Sequence, residues 1–180
     1  RGEDPSDAAA ELFTQSDALA DLYNLVHLLE KQQRWEKLAP YSGQLFNREP
    51  TLKAAMLRLN CLRQTHASAE EVSAFLDTTI GKIEQSPEIR SERAWAYLAI
   101  GKHLQAKYLN DALLAERNDA QDFSLDVNIA IRTGDWERFS VLGAKGWEQR
   151  PQLSAGMLLN LARLVGFYNP AASMELAQEA

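Results

Sequence analysis

Apolar residues recur three and four positions apart along the whole chain, which is the spacing of one face of an α-helix. The clearest early example has five members, namely Leu19, Leu22, Leu25, Val26 and Leu29. Alternating runs of β-branched residues, the signal for strands, are almost absent, and the consecutive pair Thr78 and Thr79 falls within a helical pattern. The pattern therefore predicts an all-α chain with more than roughly 65% helix.

Polar and proline-containing breaks divide this pattern into pairs of helices. The breaks fall at Pro50, Pro87, Asn118 and Pro151, which are 37, 31 and 33 residues apart. Residues 6–14 are predicted to be the end of an earlier helix. The predicted pairs occupy residues 16–50, 51–87, 88–118, 119–151 and 152–180.

Two helix starts carry capping signals. Ser16 or Asp17 is the expected N-cap of the helix that begins near Leu19. Ser68, with Glu71 three residues later, forms the sequence pattern of a capping box. That box is expected to open a helix over residues 69–85.

One segment of the chain occurs twice. Residues 34–50 align without a gap with residues 135–151, so that Trp35 falls on Trp136 at a constant offset of 101. This offset equals three periods of about 34 residues, the length of a helix-turn-helix repeat. Hairpins of this size cannot bury their apolar faces singly, and they therefore stack. Both tryptophans are expected to be buried between stacked hairpins.

The sequence "TGDWERF" at residues 133–139, with a proline at the close of the pair, resembles the tetratricopeptide repeat (TPR) family. In this hairpin Phe123, Val127 and Ala130 fall on first-helix core positions, and Gly134 on the inter-helix turn. The resemblance implies a right-handed α-solenoid of about five antiparallel helix-turn-helix hairpins, forming a single domain over residues 1–180.

The charge balance argues against nucleic acid as a partner. The chain has 19 Lys plus Arg against 25 Asp plus Glu, a net charge of −6, and no basic stripe. No apolar stretch is long enough to predict a membrane span. The first residue is Arg and the last segment has a helical pattern, so the chain is expected to be a piece of a longer protein. The cytoplasm and the periplasm both stay open as compartments.

Residues with catalytic or metal-binding chemistry are few and scattered. His27, His66 and His103 fall in different predicted units, and none has an acid or cysteine at catalytic spacing. Cys61 lies among leucines and is expected to be an inert core residue. The sequence therefore predicts no catalytic residue, no cofactor and no metal site.

The polar faces of the first helices predict a groove for a protein or peptide partner on the inner curve of the solenoid. Leu57 is expected to lie among the polar residues of this groove. The groove residues are Tyr23, His27, Glu30, Lys53, Asn60, Gln121, Ser124 and Asn128.

Two functions fit this pattern. The first is a non-catalytic scaffold or adaptor that binds a partner peptide or helix in the concave groove. The second is the non-catalytic α-solenoid arm of a larger multidomain enzyme, such as a nuclease, a transferase or a glycan-processing enzyme. The sequence does not separate them, and it leaves the identity of the partner and the oligomeric state open.

Overall fold

Helices joined by short connections make up most of the residues that the computed structural model describes, which are 4–117, 120–149, 155–166 and 170–179. No strand occurs among these residues. The helices are α1 (Pro5–Ser16), α2 (Leu19–Lys31), α3 (Trp35–Arg48), α4 (Leu52–Gln64), α5 (Ala69–Thr78), α6 (Pro87–Ala99), α7 (His103–Glu116), α8 (Ala120–Thr133), α9 (Trp136–Gln149), α10 (Ala155–Gly166) and α11 (Pro170–Glu179).

Four of the turns between paired helices share one backbone conformation. Gln33, His66, Gly101 and Gly134 have φ values of 56°, 56°, 78° and 68°, in the left-handed region. In each turn the next residue donates its backbone N–H to the carbonyl oxygen five residues earlier, at 2.8 to 2.9 Å, which is the Schellman ending of a helix. The four residues are 33, 35 and 33 positions apart, so the repeat is visible in the backbone itself.

The chain forms two compact units, residues 1–86 and 87–180. In the first unit each helix from α1 to α5 packs against the next. In the second unit α6 to α11 also pack in chain order, and α8 additionally contacts α6 and α10. The boundary falls at the predicted break Ser86-Pro87, and a single domain over residues 1–180 stays a prediction. No helix in the described ranges is both long and apolar enough to cross a membrane.

The cores of the two units are built from the apolar stripes that the sequence pattern predicted. In the first unit Leu22, Leu25 and Leu38 are fully buried, and Phe46 stacks edge-on against Phe75 with ring centroids 5.3 Å apart. The second unit has two core clusters among its described residues. One contains Val127, Ala130, Phe139, Leu142, Leu158, Leu161 and Ala162; the other contains Ala94, Tyr97, Leu98, Ala106, Leu125 and Ile129.

The predicted helix over residues 69–85 is shorter than expected. Its capping box is present, because the Ser68 hydroxyl accepts the Glu71 N–H and the Glu71 carboxylate accepts the Ser68 N–H. The helix ends at Thr78, and Gly81 then takes a left-handed φ of 76°. The Gln85 side chain folds back and donates to the Thr79 carbonyl oxygen at 3.1 Å. Because the apolar pattern continues into this turn, the sequence did not indicate that the helix ends at Thr78.

The predicted N-cap of α2 is wrong by one or two residues. Ala18 occupies the N-cap and makes no side-chain capping bond. Ser16 is still the last residue of α1, and Asp17 adopts a left-handed φ of 49° as the C-cap of that helix. The Ala18 N–H donates to the Ser16 hydroxyl at 3.2 Å. The polar residues therefore finish α1 instead of starting α2.

The prediction that both tryptophans are buried is also wrong. Trp136 is 54% exposed, and Trp35 is only half-buried. Each is the first residue of its helix, α9 or α3, and so lies at the end of the hairpin and away from its packed centre. The residues three positions later, Leu38 and Phe139, are the buried ones. The break at Asn118 and the residue Pro151 lie outside the described residues.

Candidate functional site

The predicted groove residues of the first unit lie on two helices with the same direction. The connections on either side of α3 each reverse the chain, so α2 and α4 run parallel to one another. The two helices carry their groove residues at identical spacing. These residues are Tyr23, His27 and Glu30 on α2, and Lys53, Leu57 and Asn60 on α4.

All six of these side chains line one cavity of about 330 Å³. Tyr23 is 38% exposed, and His27, Glu30 and Lys53 are exposed as well. Leu57 and Asn60 are half-buried. A cavity of this volume is at the lower end of the range for ligand pockets and is large enough for one bulky side chain with its adjoining backbone.

The sequence pattern did not predict the residues that form the floor of this cavity. Val26 on α2 and Ala54 on α4 are buried and lie beneath the rim, together with Leu45 from α3. Met56 and Thr51 complete the lining. Val26 belongs to the apolar stripe of α2, so the pattern marks it as core, and only the separation of neighbouring helices shows that one side of it faces an opening.

One end of the cavity is fixed by a hydrogen bond between elements. The Tyr23 hydroxyl donates to the Glu49 carboxylate at 2.8 Å, just before α4 begins. This bond raises the pKa of Tyr23 because the carboxylate stabilises the protonated phenol. Thr51 caps α4 by accepting the Ala54 N–H at 3.2 Å. The start of α4 is thereby held level with Tyr23.

Four polar side chains on the rim have no partner within the described part of the chain. His27, Glu30, Lys53 and Asn60 form no hydrogen bond or ion pair there. Most other charged side chains near the ends of these helices are paired, as Arg48 is with Asp17. The rim therefore keeps its hydrogen-bonding capacity for a ligand.

The other predicted groove residues lie on α8, in the second unit. Gln121 is exposed, whereas Ser124 and Asn128 are half-buried. The Asn128 amide donates to the Ser124 carbonyl oxygen of its own helix at 2.8 Å. These residues do not line the cavity between α2 and α4, and a groove that contains all eight residues stays a prediction.

A second, wider depression lies in the second unit, and the sequence did not indicate it. Its volume is about 540 Å³, and its lining includes Lys107, Asp126 and Arg138. These charged groups already pair with one another or with Asp111: Arg138 Nε donates to Asp126 at 2.7 Å, and Lys107 Nζ contacts Asp111 at 2.8 Å. A ligand there would have to compete with existing ion pairs.

The reactive side chains of Cys61 and the three histidines lie in different parts of the chain. Cys61 is fully buried between Leu59 and Leu62, and burial raises the pKa of its thiol, which disfavours the nucleophilic thiolate. His27 lies on α2, His66 in a turn and His103 at the start of α7. No group of three or more His, Cys, Asp or Glu in the described ranges could hold a metal ion.

No protein-family model matches the sequence, and no curated protein matches it. Among solved structures, the crystal structure of YrrB, described as "a TPR protein with an unusual peptide-binding site", aligns with a TM-score of 0.62. The alignment covers 95% of this chain and 89% of that chain, at 12% sequence identity. The fold is that of a TPR protein.

The TPR fold agrees with the four Schellman turns and with the resemblance carried by "TGDWERF". The predicted fold class, an all-α solenoid of TPR-like hairpins, is confirmed. In TPR terms, α2, α4, α6, α8 and α10 are the first helices of successive hairpins. The cavity therefore lies between the first helices of two neighbouring TPR hairpins.

Proposed function

We propose that this chain is a protein–protein interaction scaffold that binds an extended peptide segment of a partner across the cavity between α2 and α4. The observation that carries this proposal is the combination of an apolar floor with a polar rim that has no partner of its own. Apolar pockets with a few convergent polar groups are the usual form of a recognition site. A non-catalytic role also fits the burial of Cys61, which raises the pKa of its thiol.

Parallel first helices favour an extended ligand. The rim residues of α2 and those of α4 each extend over two helical turns. Both helices therefore offer contacts to a ligand over a length of about 10 Å. A peptide backbone can use the Asn60 amide as donor and acceptor while a side chain enters the cavity. The likeness to YrrB supports this proposal only through the shared fold, because the peptide-binding site is a property of that protein.

The proposal is tested by selecting phage-displayed random peptides against the chain and measuring their affinities for two variants. Tyr23→Ala combined with Leu57→Ala removes one aromatic and one aliphatic side chain from the rim of the cavity. We expect this variant to bind selected peptides at least about tenfold more weakly, equivalent to about 1.4 kcal/mol. Circular dichroism and the melting temperature check that the fold is retained.

Helix α7, the second helix of its hairpin, offers a control pair of the same two residue types, tyrosine and leucine. Tyr108 and Leu104 on α7 are 77% and 81% exposed and lie outside the cavity. Tyr108→Ala combined with Leu104→Ala should leave peptide affinity unchanged. If this control variant loses binding and the cavity variant keeps it, the working surface is on α7, and the proposal is wrong.

A further inference from the structure

The cavity between α2 and α4 has opposite charges at its two ends. Lys53 is the second residue of α4, and the bond from Tyr23 to Glu49 places this end of α4 beside Tyr23. Glu30 lies seven residues after Tyr23 on the parallel helix α2, about 10 Å further along the axis. The cationic and anionic ends are thus separated by two helical turns, with apolar Leu57 and Met56 between them.

The charges at the two ends are available to a ligand. Neither Lys53 nor Glu30 has an ion-pair partner among the described residues, and both are exposed. Glu49 also lies near the Lys53 end, but its carboxylate accepts the Tyr23 hydroxyl and does not line the cavity. Opposite potentials at the ends of a site fix the register and direction of a bound chain.

We infer that the preferred ligand is a peptide segment with an acidic residue, a bulky aliphatic residue and a basic residue, in which the acidic and basic residues are three positions apart. An extended chain advances about 3.3 Å per residue, so three positions span the 10 Å by which Lys53 and Glu30 are offset along the helix axes. Successive side chains of an extended chain alternate in direction, so residues three positions apart face opposite sides, as is needed to reach Lys53 on α4 and Glu30 on α2. The acidic side chain pairs with Lys53, the aliphatic side chain enters the cavity, and the basic side chain pairs with Glu30. This inference rests on the proposed function and adds the chemical class of the partner.

The probe is the synthetic peptide Ser-Glu-Ala-Leu-Arg-Ser, acetylated or fluorescein-labelled at its N-terminus and amidated at its C-terminus. Three further peptides replace the glutamate by glutamine, the arginine by glutamine or the leucine by glycine. Fluorescence anisotropy with protein concentrations up to the millimolar range gives the affinities. We expect the leucine replacement to weaken binding at least about tenfold, because it removes a buried aliphatic side chain.

Each charge replacement should weaken binding about threefold at low salt, the usual scale for an exposed ion pair. Variants of the protein assign each charge to one end. With Lys53→Gln the glutamate and glutamine peptides should bind equally, while the arginine still matters. With Glu30→Gln the converse should hold. Lys31→Gln and Glu36→Gln, on exposed residues outside the cavity, are the matched controls and should change neither comparison.

The outcomes separate this inference from the proposed function. Equal binding of the charged and glutamine-substituted peptides, or loss of the charge preference in the Lys31 or Glu36 controls, overturns the inference. If peptides selected from the random library bind in the cavity but lack the acidic and basic residues, the proposed function stands and the inference is wrong. If neither the synthetic peptides nor any selected peptide responds to changes in the cavity, both are wrong.

Discussion

Two hairpins of this chain, α2–α3 and α8–α9, have nearly the same outline but different interiors. Adding 101 to the bounds of α3 gives the bounds of α9, and α8 starts at the residue that corresponds to the start of α2. Their turns have left-handed residues at the corresponding positions Gln33 and Gly134. Val26 and Val127 are buried at the same position, as are Leu38 and Phe139.

The interiors differ at the position of Leu25. Leu25 is fully buried, and its counterpart Asp126 is 3% exposed. The counterpart of Lys37 is Arg138, whose guanidinium bonds to Asp126 through Nε at 2.7 Å and to Asp111 through Nη2 at 2.8 Å. Lys37 makes an exposed ion pair with Asp7.

Equivalent positions in two repeats can therefore be equally buried and still hold side chains of different chemistry. Burial raises the pKa of Asp126, more than its bond to Arg138 lowers it. Burial also acts to raise the pKa of Asp111, but the bonds from Lys107 and Arg138 outweigh this and lower it. The second hairpin therefore depends on Arg138, whereas the first depends on aliphatic packing.

The largest expected effect comes from Arg138→Ala, which removes the partner of a buried carboxylate. We expect a loss of about 3 to 5 kcal/mol in the free energy of unfolding at neutral pH, measured by urea denaturation. The control is Lys37→Ala at the corresponding position, where an exposed ion pair is worth at most about 1 kcal/mol. Equal losses in the two variants would show that the hairpins do not differ as described.

The same variant has an expected pH dependence. The raised pKa of Asp126 means that the folded state binds more protons than the unfolded state above the usual value of 3.8, so this carboxylate destabilises the fold as the pH rises. The lowered pKa of Asp111 stabilises the fold above 3.8, and that contribution is lost as the pH falls. The pKa values of both carboxylates depend on Arg138. The loss in the free energy of unfolding caused by Arg138→Ala should therefore become smaller towards pH 4. A deficit that is constant with pH would contradict this.

A double substitution converts the second hairpin to the composition of the first. Asp126→Leu with Arg138→Lys replaces the buried ion pair by the aliphatic residue and the lysine of α2–α3. Replacing a buried ion pair by packed apolar groups is often neutral or stabilising by about 1 to 4 kcal/mol, and we expect a gain in this range. A loss of stability in urea denaturation would indicate that the space around Asp126 cannot accommodate leucine.

Asn110 on α7 offers a third comparison, because its counterpart on α1 is Ala9. Asn110 is fully buried, and neither its amide nitrogen nor its amide oxygen has a hydrogen-bond partner among the residues that the structure describes. Asn110→Leu keeps a similar volume and removes the unpaired polar atoms. We expect a gain of about 1 to 3 kcal/mol. Asn128→Leu is the control, since that amide is bonded to Ser124, and it should show no comparable gain.

The smallest expected effect concerns the turns. Gln33 has a left-handed φ that glycine adopts without strain, as Gly134 does at the corresponding position. Gln33→Gly should stabilise the chain by about 0.5 to 1 kcal/mol, and Gly134→Ala should destabilise it by a similar amount. The alanine Cβ would be 3.9 Å from the nearest atom, in Trp136, so its effect reports backbone strain alone. Effects of the same sign in both variants would contradict a shared turn geometry.

The sequence predicted the features that depend on local signals. The capping box at Ser68 and the inter-helix turn at Gly134 both follow from residue types within a few positions of each other. It did not predict the burial of Asp126, because its partner Arg138 lies across the hairpin, or the exposure of Trp136.

For the candidate site, periodicity selected the rim residues but not the cavity. The spacing of Tyr23, His27 and Glu30 places them on one face of α2, and the matching residues of α4 follow from the repeat. The depth of the opening depends on how far apart α2 and α4 lie above Val26 and Leu45. That separation is a property of packing between helices, and no local pattern encodes it.

The cavity can be observed directly through methionine methyl groups. The chain has three methionines, of which Met56 lines the cavity and Met174 is a 66% exposed residue of the second unit. A chain labelled with ¹³C-methyl methionine is titrated with a peptide selected by phage display, and methyl resonances are followed by NMR. We expect the Met56 resonance to shift saturably while that of Met174 stays in place. A saturable shift of Met174 with no change at Met56 would contradict the cavity as the binding site.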